Sequence, residues 1–152
     1  MENYGFELYA GDWIAIRNAC RTELIDELRS GRFSESALHF PPEFGAGDIL
    51  FLQDAVARLT GSPVIELDFE RDEPSGSMFA DRLIAEWVSS VASVSPTDGS
   101  LLMQYWSERY FTEELSKPDW HKHVAGTLGN NVIELCRLSM ARSLDVVMIW
   151  IL

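Results

Sequence analysis

The segment PVIELDFERDE, residues 63–73, decides how the fold is interpreted, because its side chains alternate in polarity. The apolar residues alternate with carboxylates: Ile65, Leu67 and Phe69 with Glu66, Asp68 and Glu70. Successive side chains of a strand point to opposite faces, so this pattern predicts a half-buried strand over residues 64–70. Asp72 and Glu73 then continue the acidic character into a polar turn.

Two further strands and several helices are predicted from the positions of apolar residues. The strands are Phe6 to Tyr9 and the run VVMIWIL at residues 146–152, which is too short to span a membrane. Apolar residues at helical spacing predict helices over residues 12–29, 48–60, 78–92 and 131–142. Asp12 and Asp48 precede the first two helices as candidate N-caps.

Three other segments are less regular in pattern. Residues 99–116 fit a helix slightly better than a strand, although residues 101–106 alone also fit a buried strand. Residues 31–47 contain Pro41-Pro42 and are predicted to be irregular. Residues 118–131, with two glycines near their end, are predicted to form a loop.

The order of these elements favours an α/β or α+β fold. A single compact domain over residues 1–152 is expected, with four to five helices packed on a three- to four-stranded sheet. Because the helix at 78–92 follows the strand at 64–70, some parallel pairing through a right-handed crossover is expected. The strand order is left open.

The charge of the chain narrows the classes of partner. The chain has twelve basic and twenty-four acidic residues, which give a net charge of −12. Nucleic acids and anionic membranes attract basic surfaces, so neither is expected as a partner, whereas a basic protein is. The same acidity also fits a surface whose charge only keeps the chain soluble. Two widely separated cysteines, Cys20 and Cys136, favour a reduced, cytoplasmic protein.

The carboxylates of the opening segment permit three interpretations. They form a solvated strand face, a surface for a partner, or part of a metal site. For the metal site, Glu66 and Asp68 would supply oxygen ligands, joined by His121 and His123, which share one face if their segment is a strand. The sequence supplies no second acidic pair and no established zinc spacing, so no metal or other cofactor is predicted.

The sequence therefore predicts a non-catalytic, acidic binding protein, of the kind that masks a basic partner as an immunity or inhibitor protein does. The predicted partner-binding residues are Glu66, Asp68, Glu70, Asp72 and Glu73. No catalytic residues are predicted, because no nucleophile lies in a recognisable context. A metal-dependent hydrolase using the strand carboxylates is the alternative, and a small-ligand-binding module is a second alternative.

Overall fold

The computed structural model describes residues 5–40, 48–65, 69–71, 78–111 and 120–151. The strands are β1 (Gly5–Gly11), β2 (Ser34–His39), β3 (Phe69–Arg71), β4 (Met78–Leu83) and β5 (Asp145–Ile151). The α-helices are α1 (Trp13–Arg21), α2 (Ile25–Arg29), α3 (Asp48–Thr60), α4 (Ala85–Ala92), α5 (Gly99–Phe111) and α6 (Trp120–Arg142), with a short 3-10 helix at Pro96–Asp98. Within these ranges no helix is both long and apolar enough to cross a membrane.

The strands form one antiparallel sheet in the order β2-β1-β5-β4-β3. The α+β fold class is therefore confirmed, and the expected parallel crossover is wrong. The described residues contain five strands and six α-helices, one more of each than the sequence predicts at most. The strands that the sequence did not predict are β2 and β4, whereas the possible strand at residues 101–106 is helical. The extra helix comes from the division of the first predicted helix into α1 and α2.

The terminal apolar run forms the central strand, β5, and its two faces pack on different helices. Val146 and Met148 belong to a core cluster that includes side chains of α3, α4, α5 and α6. Val147 and Ile149 belong to a second cluster, beneath α1 and α2. A strand covered on both faces has no polar side, which explains why this segment is continuously apolar.

The predicted helix over residues 78–92 is wrong in its first half. Residues 78–83 form β4, and α4 begins only at Ala85. Met78 and Ala80 pack in the cluster beneath α1 and α2, whereas Leu83 packs in the opposite one. Because both faces of β4 are covered, its sequence lacks the apolar–polar alternation that marks a half-exposed strand.

The first predicted helix begins as expected and ends early. The Asp12 side chain accepts a hydrogen bond from the Ala15 N–H at 2.9 Å, which confirms the N-cap. Glu23 then has a φ of 56°, and the Leu24 N–H donates to the Ala19 carbonyl at 2.9 Å. These are the features of a Schellman C-cap, which usually contains glycine. Because Glu23 stands where glycine is usual, the end of α1 has no recognisable signal in the sequence.

Two segments predicted to be irregular contain regular structure. Residues 34–39 form the edge strand β2, and α6 begins at Trp120 rather than near residue 131. Within α6, a Cβ added to Gly129 would lie 2.2 Å from the Gly99 carbonyl oxygen of α5. Gly129 therefore permits a close helix crossing instead of forming a turn. Helical structure at 99–111 confirms the preferred interpretation of that region.

Candidate functional site

One residue of the predicted acidic segment lies in a strand at the end of the described sheet order. Glu70 lies in β3, which pairs with β4 and is the last strand in the described sheet order. Glu66, Asp68, Asp72 and Glu73 lie outside the described residues.

The beginning of the predicted strand differs from the expectation. Val64 and Ile65 have no regular secondary structure, and strand pairing is seen at Phe69–Arg71. Val64 is 53% exposed, whereas Ile65 packs against the core as predicted. In the β3–β4 register, the Cα partner of Glu70 is Arg82. This register places a basic residue opposite the acidic position in the neighbouring strand.

The histidines of the metal alternative do not lie on a strand. His121 and His123 are in the first turn of α6. The strand alternation that would place them on one face therefore does not apply to this segment. Glu66 and Asp68, the other two residues of that alternative, are outside the described part of the chain. Among the residues that are described, no three His, Cys, Asp or Glu side chains cluster as a metal site would require.

A buried carboxylate cluster, absent from the sequence predictions, connects β1, β2 and α2. Glu7 Oε1 lies 2.8 Å from Nη2 of Arg29 and accepts a hydrogen bond from its Nε at 2.9 Å. Glu7 Oε2 lies 2.8 Å from Nδ1 of His39 and also accepts from the Tyr9 hydroxyl. The Glu7 side chain is 4% exposed, whereas those of Arg29 and His39 are about half exposed.

This Glu7 cluster is organised for stability, and its chemistry does not suggest a nucleophile. Burial, and then the hydrogen bond to Glu7, raise the pKa of Tyr9 far above its ordinary value, so its phenol stays protonated. Cys20, in the same core cluster as Tyr9, is buried. The members are far apart in sequence. The one local feature of the sequence that indicates this cluster is a carboxylate, Glu7, within an otherwise apolar strand.

The second feature is a cleft of about 810 Å³ where β4 joins α4 and α6 joins β5. Its walls are largely apolar, formed by Leu83, Ile84, Val88, Met140, Leu144 and Val146. Polar groups also line it: Arg82, Glu86, Ser89, Ser139, Ser143 and Asp145. Its volume lies within the range of small-molecule sites, roughly 300–1,000 Å³.

The Asp145 carboxylate, which lines the cleft, makes two long contacts. Asp145 Oδ1 lies 4.0 Å from Nη1 of Arg82, and Asp145 Oδ2 accepts a hydrogen bond from the Trp13 N–H at 3.3 Å. Both distances are at the long end for such contacts. The Arg82 guanidinium also lies 5.6 Å from the centre of the Trp13 ring. With one long contact at each of its oxygens, the Asp145 carboxylate retains acceptor capacity.

The cysteines are unsuited to catalysis. Cys20 and Cys136 are both buried, and neither forms a disulfide in the described part of the chain. Burial raises the pKa of the Cys136 thiol to about 12, which disfavours the reactive thiolate at neutral pH.

Comparisons with known proteins give no match to a family model, to a curated protein or to a solved structure.

Proposed function

We propose that this chain is a non-catalytic acidic binding protein that masks a basic surface of a partner protein. The observation that carries the proposal is the unequal use of its charges. Four of the arginines whose side chains are described form ion pairs within the chain: Arg29, Arg58, Arg82 and Arg142. Arg137 donates to the backbone carbonyls of Ala92 and Val94, and Arg17 and Arg32 lie near aromatic rings.

Several acids, in contrast, face solvent without a basic partner. Asp26, Glu86 and Glu134 are exposed and form no ion pair with any residue in the described ranges. They lie on three different helices, α2, α4 and α6. Together with the net charge of −12, this arrangement leaves a negative surface potential that favours basic partners and accelerates association with them.

The proposed contact region is the acidic segment of Glu66, Asp68, Glu70, Asp72 and Glu73. The position of β3 supports this choice, because β3 is the last strand of the sheet formed by the described residues, and an edge strand offers its backbone groups to a partner. Carboxylates on an edge strand also disfavour pairing with a second copy of the same strand, since like charges would meet. A basic surface faces no such repulsion.

The proposal is tested with the basic proteins encoded by neighbouring genes, since an inhibitor is commonly encoded next to its target. Each is co-expressed with this chain, and the mixture is analysed by size-exclusion chromatography with light scattering. We expect one of them to form a 1:1 complex whose dissociation constant rises steeply as salt increases from about 50 to 500 mM, where the Debye length shortens. Absence of a complex with every basic neighbour at the lower salt would contradict the proposal.

A further inference from the structure

The cleft between the β4–α4 and α6–β5 junctions combines an apolar interior with an excess of negative charge. Met140, which lines it, is 53% exposed, one of the few large apolar side chains in the described ranges with such exposure. A flexible thioether at the edge of an apolar cleft adapts readily to a hydrocarbon ligand. Leu83 and Val88, which line the same cleft, are buried in the core and give it a fixed wall.

The charged side chains lining the cleft are two carboxylates, Glu86 and Asp145, and one guanidinium, Arg82. Glu86 lies in the first turn of α4, is exposed, and has no ion-pair partner among the described residues. Asp145 is half exposed and holds Arg82 only at 4.0 Å. The net charge of the lining is therefore negative, and the chain around it is strongly acidic.

We propose that this cleft binds a small apolar amine. Its ammonium group is held by the carboxylates of Glu86 and Asp145, and its hydrocarbon body packs on Leu83, Val88 and Met140. An aliphatic amine is protonated at neutral pH, as the lysine side chain is. Its cation then satisfies acceptors that the protein leaves loosely paired, and its apolar part removes exposed hydrocarbon from water.

Other ligand classes fit the cleft less well. A carboxylate ligand would approach Arg82 but would meet the repulsion of Glu86 and Asp145. A neutral alcohol would gain the apolar contacts without the ionic ones. The amine alone uses both the apolar walls and the excess negative charge. The described lining of the cleft includes no residue of the acidic segment, although Arg82 is the Cα partner of Glu70. The amine site does not depend on the proposed protein partner.

The test compares three probes with the same hydrocarbon chain: hexylamine, hexan-1-ol and hexanoate. Each is titrated into the full chain, and binding is followed by chemical-shift changes in ¹⁵N-labelled protein. We expect hexylamine to bind at least about tenfold more tightly than hexan-1-ol, with shifts centred on the cleft, and hexanoate to bind more weakly than either. Equal binding of amine and alcohol, tighter binding of hexanoate, or no binding of hexylamine would overturn the proposal.

Variants then locate the site. Glu86→Gln, an exposed change on α4, should weaken hexylamine binding several-fold and leave hexan-1-ol binding unchanged. Met140→Trp should fill the cleft and weaken both. Glu134→Gln, an exposed change on α6 outside this cleft, is the matched control and should have no effect. Circular dichroism checks that each variant is folded. Unchanged hexylamine affinity in folded Glu86→Gln would overturn the assignment of the ammonium position.

Discussion

Nδ1 of His39 lies 2.8 Å from Oε2 of Glu7, and the two residues are direct Cα partners in the β1–β2 pair. Their contact is one side of a buried cluster that Arg29 and Tyr9 complete. A carboxylate removed from water is stable only when its oxygens are fully hydrogen-bonded. Glu7 therefore connects the edge strand β2 and helix α2 to the centre of the sheet.

Replacing Glu7 with glutamine should destabilise the fold. The amide removes the negative charge that stabilises Arg29 and His39, and its NH2 group opposes one of the existing donors. We expect the free energy of unfolding to fall by about 2–3 kcal/mol. Urea denaturation followed by tryptophan fluorescence measures the change. Glu35→Gln is the control, because Glu35 pairs with Arg142 in an exposed ion pair, and should cost less than about 1 kcal/mol. Similar losses in both variants would contradict this role of Glu7.

The raised pKa of Tyr9 predicts a loss of stability at alkaline pH. Below pH 10, the ordinary tyrosine value, both the folded and the unfolded chain hold the phenolic proton. Above pH 10 the unfolded chain releases it while the folded chain retains it, so the free energy of unfolding falls as pH rises. One such group contributes up to about 1.4 kcal/mol per pH unit.

Denaturation of wild-type and Tyr9→Phe protein between pH 8 and about 11.5 tests this prediction. Tyr9→Phe removes the ionisable phenol, so its stability should fall less steeply above pH 10 than that of the wild type. The other tyrosines are present in both proteins and serve as an internal control. Parallel pH profiles for the two proteins would show that Tyr9 is not responsible for the alkaline slope.

Gly129→Ala should disrupt the crossing of α5 and α6. The added Cβ would lie 2.2 Å from the Gly99 carbonyl oxygen, so the two helices must move apart. We expect a loss of about 3 kcal/mol or more, at the upper end for overpacking, because a backbone atom must be displaced. Thermal denaturation measures it. Asn131→Ala, an exposed change in the same helix, should alter stability by less than about 0.5 kcal/mol. A Gly129→Ala variant as stable as this control would contradict the close crossing.

Ser143→Gly should stabilise the protein. Ser143 follows α6 with a φ of 54°, and the Leu144 N–H donates to the Ser139 carbonyl at 2.9 Å, closing a Schellman cap. Glycine adopts this left-handed conformation without the strain of a Cβ, so a gain of about 1 kcal/mol is expected. The same change in a helix interior, Ser89→Gly, should instead destabilise by up to about 1 kcal/mol. A loss of stability in Ser143→Gly would refute this account.

The sequence predicts best the elements whose patterns are local. The apolar run at 146–152 identifies a strand, and α3 lies where its apolar spacing and flanking Gly61 place it. β2 and β4 were missed for different reasons. β4 is covered on both faces and loses its alternation, whereas β2 has mostly small and polar residues that resemble a loop. The first part of α6 was predicted to be a loop because its glycines suggested a turn, whereas Gly129 lies inside the helix and allows close packing against α5.

The Glu7 cluster and the cleft are even harder to predict from local sequence patterns than the strands and helices are. Glu7, Arg29 and His39 meet only because β1 pairs with β2 and α2 packs beside them. Similarly, Arg82 and Asp145 come together through the β4–β5 pairing. Contacts between residues so distant in sequence leave no periodic pattern. The acidic segment is therefore the only one of these candidate sites that can be recognised from the sequence.

The association rate of a charge-reversed chain tests the proposed function most directly. Glu66→Lys, Asp68→Lys and Glu70→Lys are combined in one variant, and Asp26→Lys, Glu86→Lys and Glu134→Lys in a second, which changes the net charge equally. Rate constants are measured by stopped flow against the basic neighbour that forms the complex, over a range of salt concentrations. We expect the first variant to associate at least about tenfold more slowly, with a flattened salt dependence, and the second to slow much less because its substitutions lie outside the proposed contact region. An unchanged rate in the first variant, or equal slowing in both, would contradict the proposal.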